Sequence, residues 1–212
     1  MRGPVTHTEK LPRRERVKLR QRQEMLAAAL NLFAQNGYHN VSMHQVAKKA
    51  EFAIGTLYKF FENKEDLYKA LVLEQCDQFE DAVTRSIAEP DDAVEKLRNY
   101  VRVKGERFRD NLPFVRLFLA ERRGASFNIK AGLDDEMRKR HRAFLKKLAA
   151  VFENGIRIKR FKPIADPFHM AVALDSFLDA FLLLWLDEPE RHPYPEDPDS
   201  VLNIFFKGLI DS

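Results

Sequence analysis

Between Ser42 and Lys64 the chain gathers the hydroxyls of Ser42, Thr56 and Tyr58, the amide of Gln45, the imidazole of His44 and the ammonium groups of Lys59 and Lys64. Such groups donate hydrogen bonds or carry positive charge, which is the chemistry that meets phosphate oxygens and base edges. Their background is basic too. Residues 1–64 hold 12 Lys/Arg against 5 Asp/Glu, and the remainder holds 24 against 27. A basic N-terminal quarter on a nearly neutral body implies that one end meets a polyanion; a solvated basic tail is the commoner alternative. Residues for making and breaking bonds are not evident. There is no Gly-rich phosphate loop, nucleophile elbow or zinc-ligand pairing. His141 and His169 fall on different predicted helices without a ligand-spaced partner, so neither a metal nor another cofactor is expected. The single cysteine, Cys76, excludes an intrachain disulfide and reads as packing rather than as a redox sensor. These observations predict a binding protein, not an enzyme.

The donor groups need short, well-capped helices to hold them. Ser42 followed by Gln45 is a capping-box signature that starts one helix, with Val46, Ala47 and Ala50 at helical spacing. Glu51-Phe52-Ala53 forms a turn, and Gly55 opens a second helix whose apolar pair is Leu57 and Phe61. Asn63, with Asp66 three residues on, caps a third. Two helices this short need another against them. Gln21–Asn36 supplies it through Met25, Ala28, Ala29, Leu32 and Phe33, ending at Gly37. Val41 staples the connection. Three small helices with a tight inner turn match the helix-turn-helix arrangement, whose second helix enters the major groove.

The run Val46-Ala47 … Ala50, then Gly55-Thr56-Leu57-Tyr58-Lys59-Phe60-Phe61-Glu62-Asn63-Lys64-Glu65-Asp66-Leu67, resembles the DNA-binding domain of the tetracycline-repressor (TetR) family of transcriptional regulators over about residues 20–70. The resemblance implies phosphate contacts by Ser42, Thr56, Tyr58 and Lys64, and base-facing positions at Ile54, Gly55 and Lys59. Lys59 suits guanine O6/N7 and Ile54 a thymine methyl, although Ile54 is equally a core residue. His44 and Gln45 would flank the groove; for His44 a solvated helix position is the plainer reading. Three positions depart from the family pattern. Glu51 stands where a turn glycine is common, which predicts a looser turn or a left-handed residue. Phe60 stands where Tyr or His is frequent, and Ala53 replaces a common Ser.

The whole chain reads as all-α: a basic flexible arm over 1–19, a three-helix helix-turn-helix domain over 20–66, and a helical regulatory and dimerisation domain over 67–212. The arm reads as disordered or partly helical, with Arg13, Arg14, Arg16 and Lys18 free to reach DNA, where basic arms can enter a minor groove; a solubilising tail is the equal alternative. Further helices are expected over 64–87, 92–108, 114–123, 134–154 and 168–186, with a last one following Asp197-Pro198 and a loop over 125–132. The helix 168–186 is apolar nearly all round, so it should be buried on several sides. The resemblance implies that 168–186 and 198–210 pair with a second copy in a homodimer. It also implies a small-molecule effector among the middle helices, largely apolar, with Phe108, Phe114, Leu117, Phe118, Phe144, Leu148, Phe177 and Phe181 as its lining and Arg102, Arg116, His141, His169 or Asp175 to orient it. For each of these apolar residues taken alone, ordinary core is the better reading, and sequence does not separate core from pocket. The apolar run Phe177–Leu186 is broken by Asp179 and too short for a membrane span. With no apolar leader, a cytoplasmic protein without a membrane partner is expected. The resulting expectation is a dimeric, ligand-released repressor on a palindromic double-stranded operator. The alternative is a DNA-associated interaction protein without an effector.

Overall fold

The computed structural model describes residues 12–88, 91–117, 127–194 and 197–207, with backbone only over 127–134 and at 207. It consists of helices α1 (Arg13–Asn36), α2 (Met43–Lys49), α3 (Ile54–Tyr58), α4 (Lys64–Ala88) and α5 (Ala93–Asp110), a helical segment α6 described over 112–117, then α7 (Phe127–Arg157), α8 (Pro167–Asp187) and α9 (Pro198–Lys207). No strand occurs among the described residues. The chain divides into two compact units, one running to Gln75 with a segment from Pro113, the other Cys76–Leu112 with a segment from Lys130.

Local chemistry places most boundaries. Gly37 adopts φ +78° and its N–H returns to the Phe33 carbonyl, closing α1. Asp92 accepts from the N–H groups of Val94 and Glu95 at 2.9 and 3.0 Å and starts α5. Asp166 does the same for α8, with Pro167 in the first turn. Three expectations change. α1 begins at Arg13 rather than Gln21, so the arm is helix from Arg13 onward, the partly helical form of the reading; its Arg, Lys, Leu and Glu residues are good helix formers. α7 begins at Phe127, inside the stretch expected as a loop, because a lone interior glycine such as Gly132 lowers helix stability by only about 1 kcal/mol. Gly155 does not close that helix but lies inside it, where a Cβ would come within 2.1 Å of the Phe161 ring.

The first unit packs Met25, Ala29, Phe33, Val46, Leu57, Phe61, Leu67 and Leu71 into one core, with the rings of Phe33, Tyr38 and Tyr68 in mutual contact. In the second unit Val83, Leu97, Val101, Leu148, Phe152, Leu174, Leu178 and Val201 close a core between α4, α5, α7, α8 and α9. By length and composition α8 can cross a membrane, contrary to the expectation from its Phe177–Leu186 run alone. Its setting is that of a protein core. Met170, Leu174, Leu178 and Leu182 are buried, and its Asp175 is ion-paired inside the unit. Its other side is not covered: Leu183 and Leu184 are exposed, as are Ile204 and Phe206 of α9.

Inside the second core lies a polar cluster. Lys104 of α5, 3% exposed, donates to the Asp175 carboxylate and to that of Asp179 at 2.7 Å. Tyr100 donates its hydroxyl to Asp175, and His141 Nε2 lies 3.5 Å from the other Asp175 oxygen. Burial alone would raise the Asp175 pKa. The charge of Lys104, the hydrogen bonds from Lys104 and Tyr100, and His141 together hold it below the usual carboxylate range. A carboxylate held low stabilises the fold above its unfolded pKa of about 4, and this contribution is lost as pH falls through the folded value. Replacing Lys104 by Met leaves the buried Asp175 carboxylate without its ammonium partner, with only the Tyr100 hydroxyl and His141 beside it. Urea unfolding should show a loss of about 3–5 kcal/mol at neutral pH. Part of that loss should return on acidification, since burial then lifts the Asp175 pKa and the neutral acid carries no desolvation cost.

Candidate nucleic-acid interface

Ser42 and Gln45 form the capping box of α2. Gln45 N–H donates to Ser42 Oγ at 3.3 Å, and Ser42 N–H donates to Gln45 Oε1 at 2.7 Å. Both remain exposed, and the Gln45 amide nitrogen has no partner among the described residues. His44 lies beside them, exposed, on α2. The helix ends in a Schellman arrangement: Phe52 N–H reaches the Ala47 carbonyl at 2.9 Å and Glu51 N–H that of Lys48 at 3.2 Å. Glu51 occupies the position that wants a left-handed residue, at φ +60°, as expected from the missing glycine. The turn keeps its geometry and carries the strain of a side chain there.

α3 is five residues long and is held by Leu57, fully buried, and by Phe61 just beyond it. That anchoring turns the other side outward. Tyr58 is 48% exposed, Lys59 is exposed, and neither side chain makes a hydrogen bond or ion pair among the described residues. Ile54 and Thr56 are half-buried. A Cβ on Gly55 would meet no atom within 4 Å, so nothing inside the protein calls for a glycine there.

Lys64 is placed differently from the expectation that it grips phosphate. Its ammonium donates to the carbonyls of Tyr38, His39 and Val41 at 3.0, 3.3 and 3.0 Å, and lies 4.5 Å from the centre of the Tyr38 ring. All three N–H groups are thereby used within the α1–α2 connection, and the residue clamps that connection to the start of α4. Asn63 caps α4 through Asp66 N–H at 2.8 Å, and Asp66 returns a bond from Glu62 N–H at 3.1 Å.

The eight expected pocket residues fall in different settings. Phe144 and Leu148 are core of the second unit, and Phe177 packs against that core with its ring 4.9 Å from that of Phe181. Phe108 is half-buried with its ring 6.0 Å from Trp185. Phe114 and Leu117 are buried and belong to the first unit. Phe118 lies outside the described residues. A groove of about 550 Å³ in the second unit is lined by other residues, among them Arg98, Arg160, Phe161, Ile164, Met170 and Phe206. Of the expected orienting residues, His141 and Asp175 come together in the buried cluster. Arg102 pairs with Glu106 at 3.2 Å on the surface, and His169 and Arg116 are exposed. Sequence reasoning passed over Tyr100, Lys104 and Asp179. The available signal was the i, i+4 spacing of Tyr100/Lys104 and of Asp175/Asp179, two polar pairs on helices that otherwise bury apolar faces. Cys76 is half-buried and its thiol is pushed up to about 11, chiefly by burial, which leaves it protonated and unreactive.

Residues 25–71 match the family described as bacterial regulatory proteins, tetR family. The fatty acid metabolism regulator protein of Bacillus subtilis (strain 168) is 25% identical over 191 residues, 88% of this chain and 94% of that protein. The HTH-type transcriptional regulator RutR of Escherichia coli (strain K12) is 30% identical over 169 residues, 79% of this chain and 75% of that protein. The crystal structure of the transcriptional regulator FadR from Bacillus subtilis in complex with stearoyl-CoA superposes with a TM-score of 0.74 at 23% identity, covering 89% of this chain and 99% of that one, which establishes the shared fold. Replacing Glu51 by Gly should stabilise the first unit by about 0.5–1 kcal/mol, the relief of a left-handed side chain less the added freedom of the unfolded glycine, read as a higher midpoint in chemical unfolding.

Proposed function

The chain belongs to the tetR family of bacterial regulatory proteins and is a DNA-binding transcriptional regulator; from that premise we propose that it is a homodimeric cytoplasmic repressor released from a palindromic operator by a fatty acyl thioester. In this reading residues 20–66 read DNA and 67–212 regulate and dimerise. The observation that carries the DNA-reading part is the outward side of α3, where the Tyr58 and Lys59 side chains stand exposed without hydrogen-bond or ion-pair partners among the described residues, beside a glycine the fold does not require. Tyr58, Thr56 and Ser42 meet phosphates, Lys59 a guanine edge, Gly55 and Ile54 the groove floor, and His44 and Gln45 its flank. Lys64 acts at one remove, by fixing the chain that presents α2.

The effector class follows from the relatives whose names concern fatty acid metabolism and from the stearoyl-CoA in one of their structures. A ligand favouring one arrangement of the second unit shifts the population between DNA-binding and released forms. α4, unbroken from Lys64 to Ala88, is the element through which that shift reaches α3. One observation favours a regulator without a small effector: Phe144 and Leu148 are packed as core at 6% and 0% exposure. The deciding experiment is selection of bound duplexes from a random pool, followed by titration of stearoyl-CoA into the complex. A palindrome with half-sites about one DNA turn apart is expected. Release at micromolar stearoyl-CoA supports the effector; a complex indifferent to it favours the second reading, and absence of any enriched duplex sinks both.

The homodimer is proposed through α8 and α9, where Leu183, Leu184, Ile204 and Phe206 present exposed apolar side chains. Leu184→Glu together with Ile204→Glu should convert a dimer to a monomer in sedimentation. An intact dimer would remove this face from the interface.

A further inference from the structure

The first turns of α1 carry positive charge in a particular arrangement. Residues 13, 14, 17, 18 and 21 share one side of the helix. That side borders a groove of about 700 Å³ lined by Arg13, Arg14, Val17, Lys18 and Gln21, with Thr56, Lys59 and Phe60 as its other wall. The charges are sorted by side. Arg20 is paired with Glu24 at 2.8 Å and Arg22 with Glu74. The side chains of Arg13, Arg14 and Lys59 make no ion pair or hydrogen bond among the described residues. The Lys18 ammonium lies 6.0 Å from the centre of the Phe60 ring, a contact that leaves its N–H groups open. Glu15, the acid of the first turn, does not line the groove. Four cations thus face one concavity without a counter-charge among the described residues. Their mutual repulsion, screened by solvent, favours an anion laid along the groove.

The occupant is set by what the groove adjoins. Thr56 and Lys59 belong both to its wall and to the DNA-reading side of α3, so a polyanion on α3 continues into it. We propose that α1 is lengthened at its N-terminus to act as a backbone clamp, in which Arg13, Arg14 and Lys18 bind phosphates of the same duplex that α3 reads. This rests on the DNA-binding reading and replaces the flexible minor-groove arm expected from sequence. A rigid helix holds these cations beside α3, and phosphate contacts add affinity and salt dependence without adding base preference.

The test compares the wild-type chain with R13Q/R14Q/K18Q, substitutions that keep helix propensity at exposed positions. Binding to a random-sequence 30-base-pair duplex is followed by fluorescence anisotropy as salt is raised. Each phosphate contact contributes about 0.9 to the slope of log K against log salt. The triple variant should therefore lose about 2–3 from the slope per protomer bound, while selection from a random pool returns the same site as wild type. R16Q, which alters a cation outside the groove, should change the slope by less than any single groove substitution. R14Q and K18Q alone, each expected to lose about 1, carry the same test should the triple variant lose helix by circular dichroism. An unchanged slope, an R16Q effect equal to that of K18Q, or an altered site preference would overturn the clamp. A wild-type chain that ignores the duplex at low salt would instead remove the DNA-binding reading, which is a separate result.

Discussion

A five-residue helix cannot hold its own shape in water, because the first turn fixes several residues before any hydrogen bond repays them. The structure of the first unit follows from that constraint. α3 persists because Leu57 is drawn fully into an apolar core that α1, α2 and α4 build around it. Fixing one face by burial fixes the opposite face by geometry, so the Tyr58 and Lys59 side chains point outward without a hydrogen bond or ion pair among the described residues to hold them there. Ser42 and Gln45 fix one end of α2, the Phe52–Ala47 bond fixes the other, and the Lys64 ammonium ties the preceding connection to the helix that follows. Recognition here is a by-product of packing and capping done well within a short stretch.

The second unit handles charge in the opposite way. Where the first leaves cations without partners at its surface, the second encloses Lys104 between two aspartates and a tyrosine, with every buried side-chain N and O among the described residues satisfied. A buried ion pair of this kind adds little net stability over an apolar replacement, but it has a definite geometry. It joins α5 to α8 at one register, with α7 brought in by His141. The apolar residues around it admit several packings, and the ion pair admits far fewer.

How much of this the sequence displayed depends on the range of the interaction. Caps are local: Ser42/Gln45, Asn63/Asp66, Asp92 and Asp166 all act where their spacing placed them. The strain at Glu51 was also visible, because the turn specifies a backbone conformation and the residue type conflicts with it. Longer-range facts were hidden. Gly132 and Gly155 looked like stops, yet the first is continued through and the second makes room for the Phe161 ring, a contact six residues away that no propensity encodes. Lys64 looked like a phosphate ligand because a cation near a helix start suits one; its carbonyl partners lie more than twenty residues back. The apolar residues of the middle helices could not be sorted into pocket and core, since both environments select the same side chains.

Gly55 has a meaning of its own in this setting. By packing alone any small side chain is acceptable there, and alanine would favour the helix by up to about 1 kcal/mol. The chain therefore keeps a residue that weakens its shortest helix, at a place where the protein has empty space to offer. In the proposed reading, a position that packing leaves open is restricted by what docks on it, which separates two kinds of constraint that usually overlap. Variation at residue 55 would trace the shape of the partner, undistorted by the needs of the core.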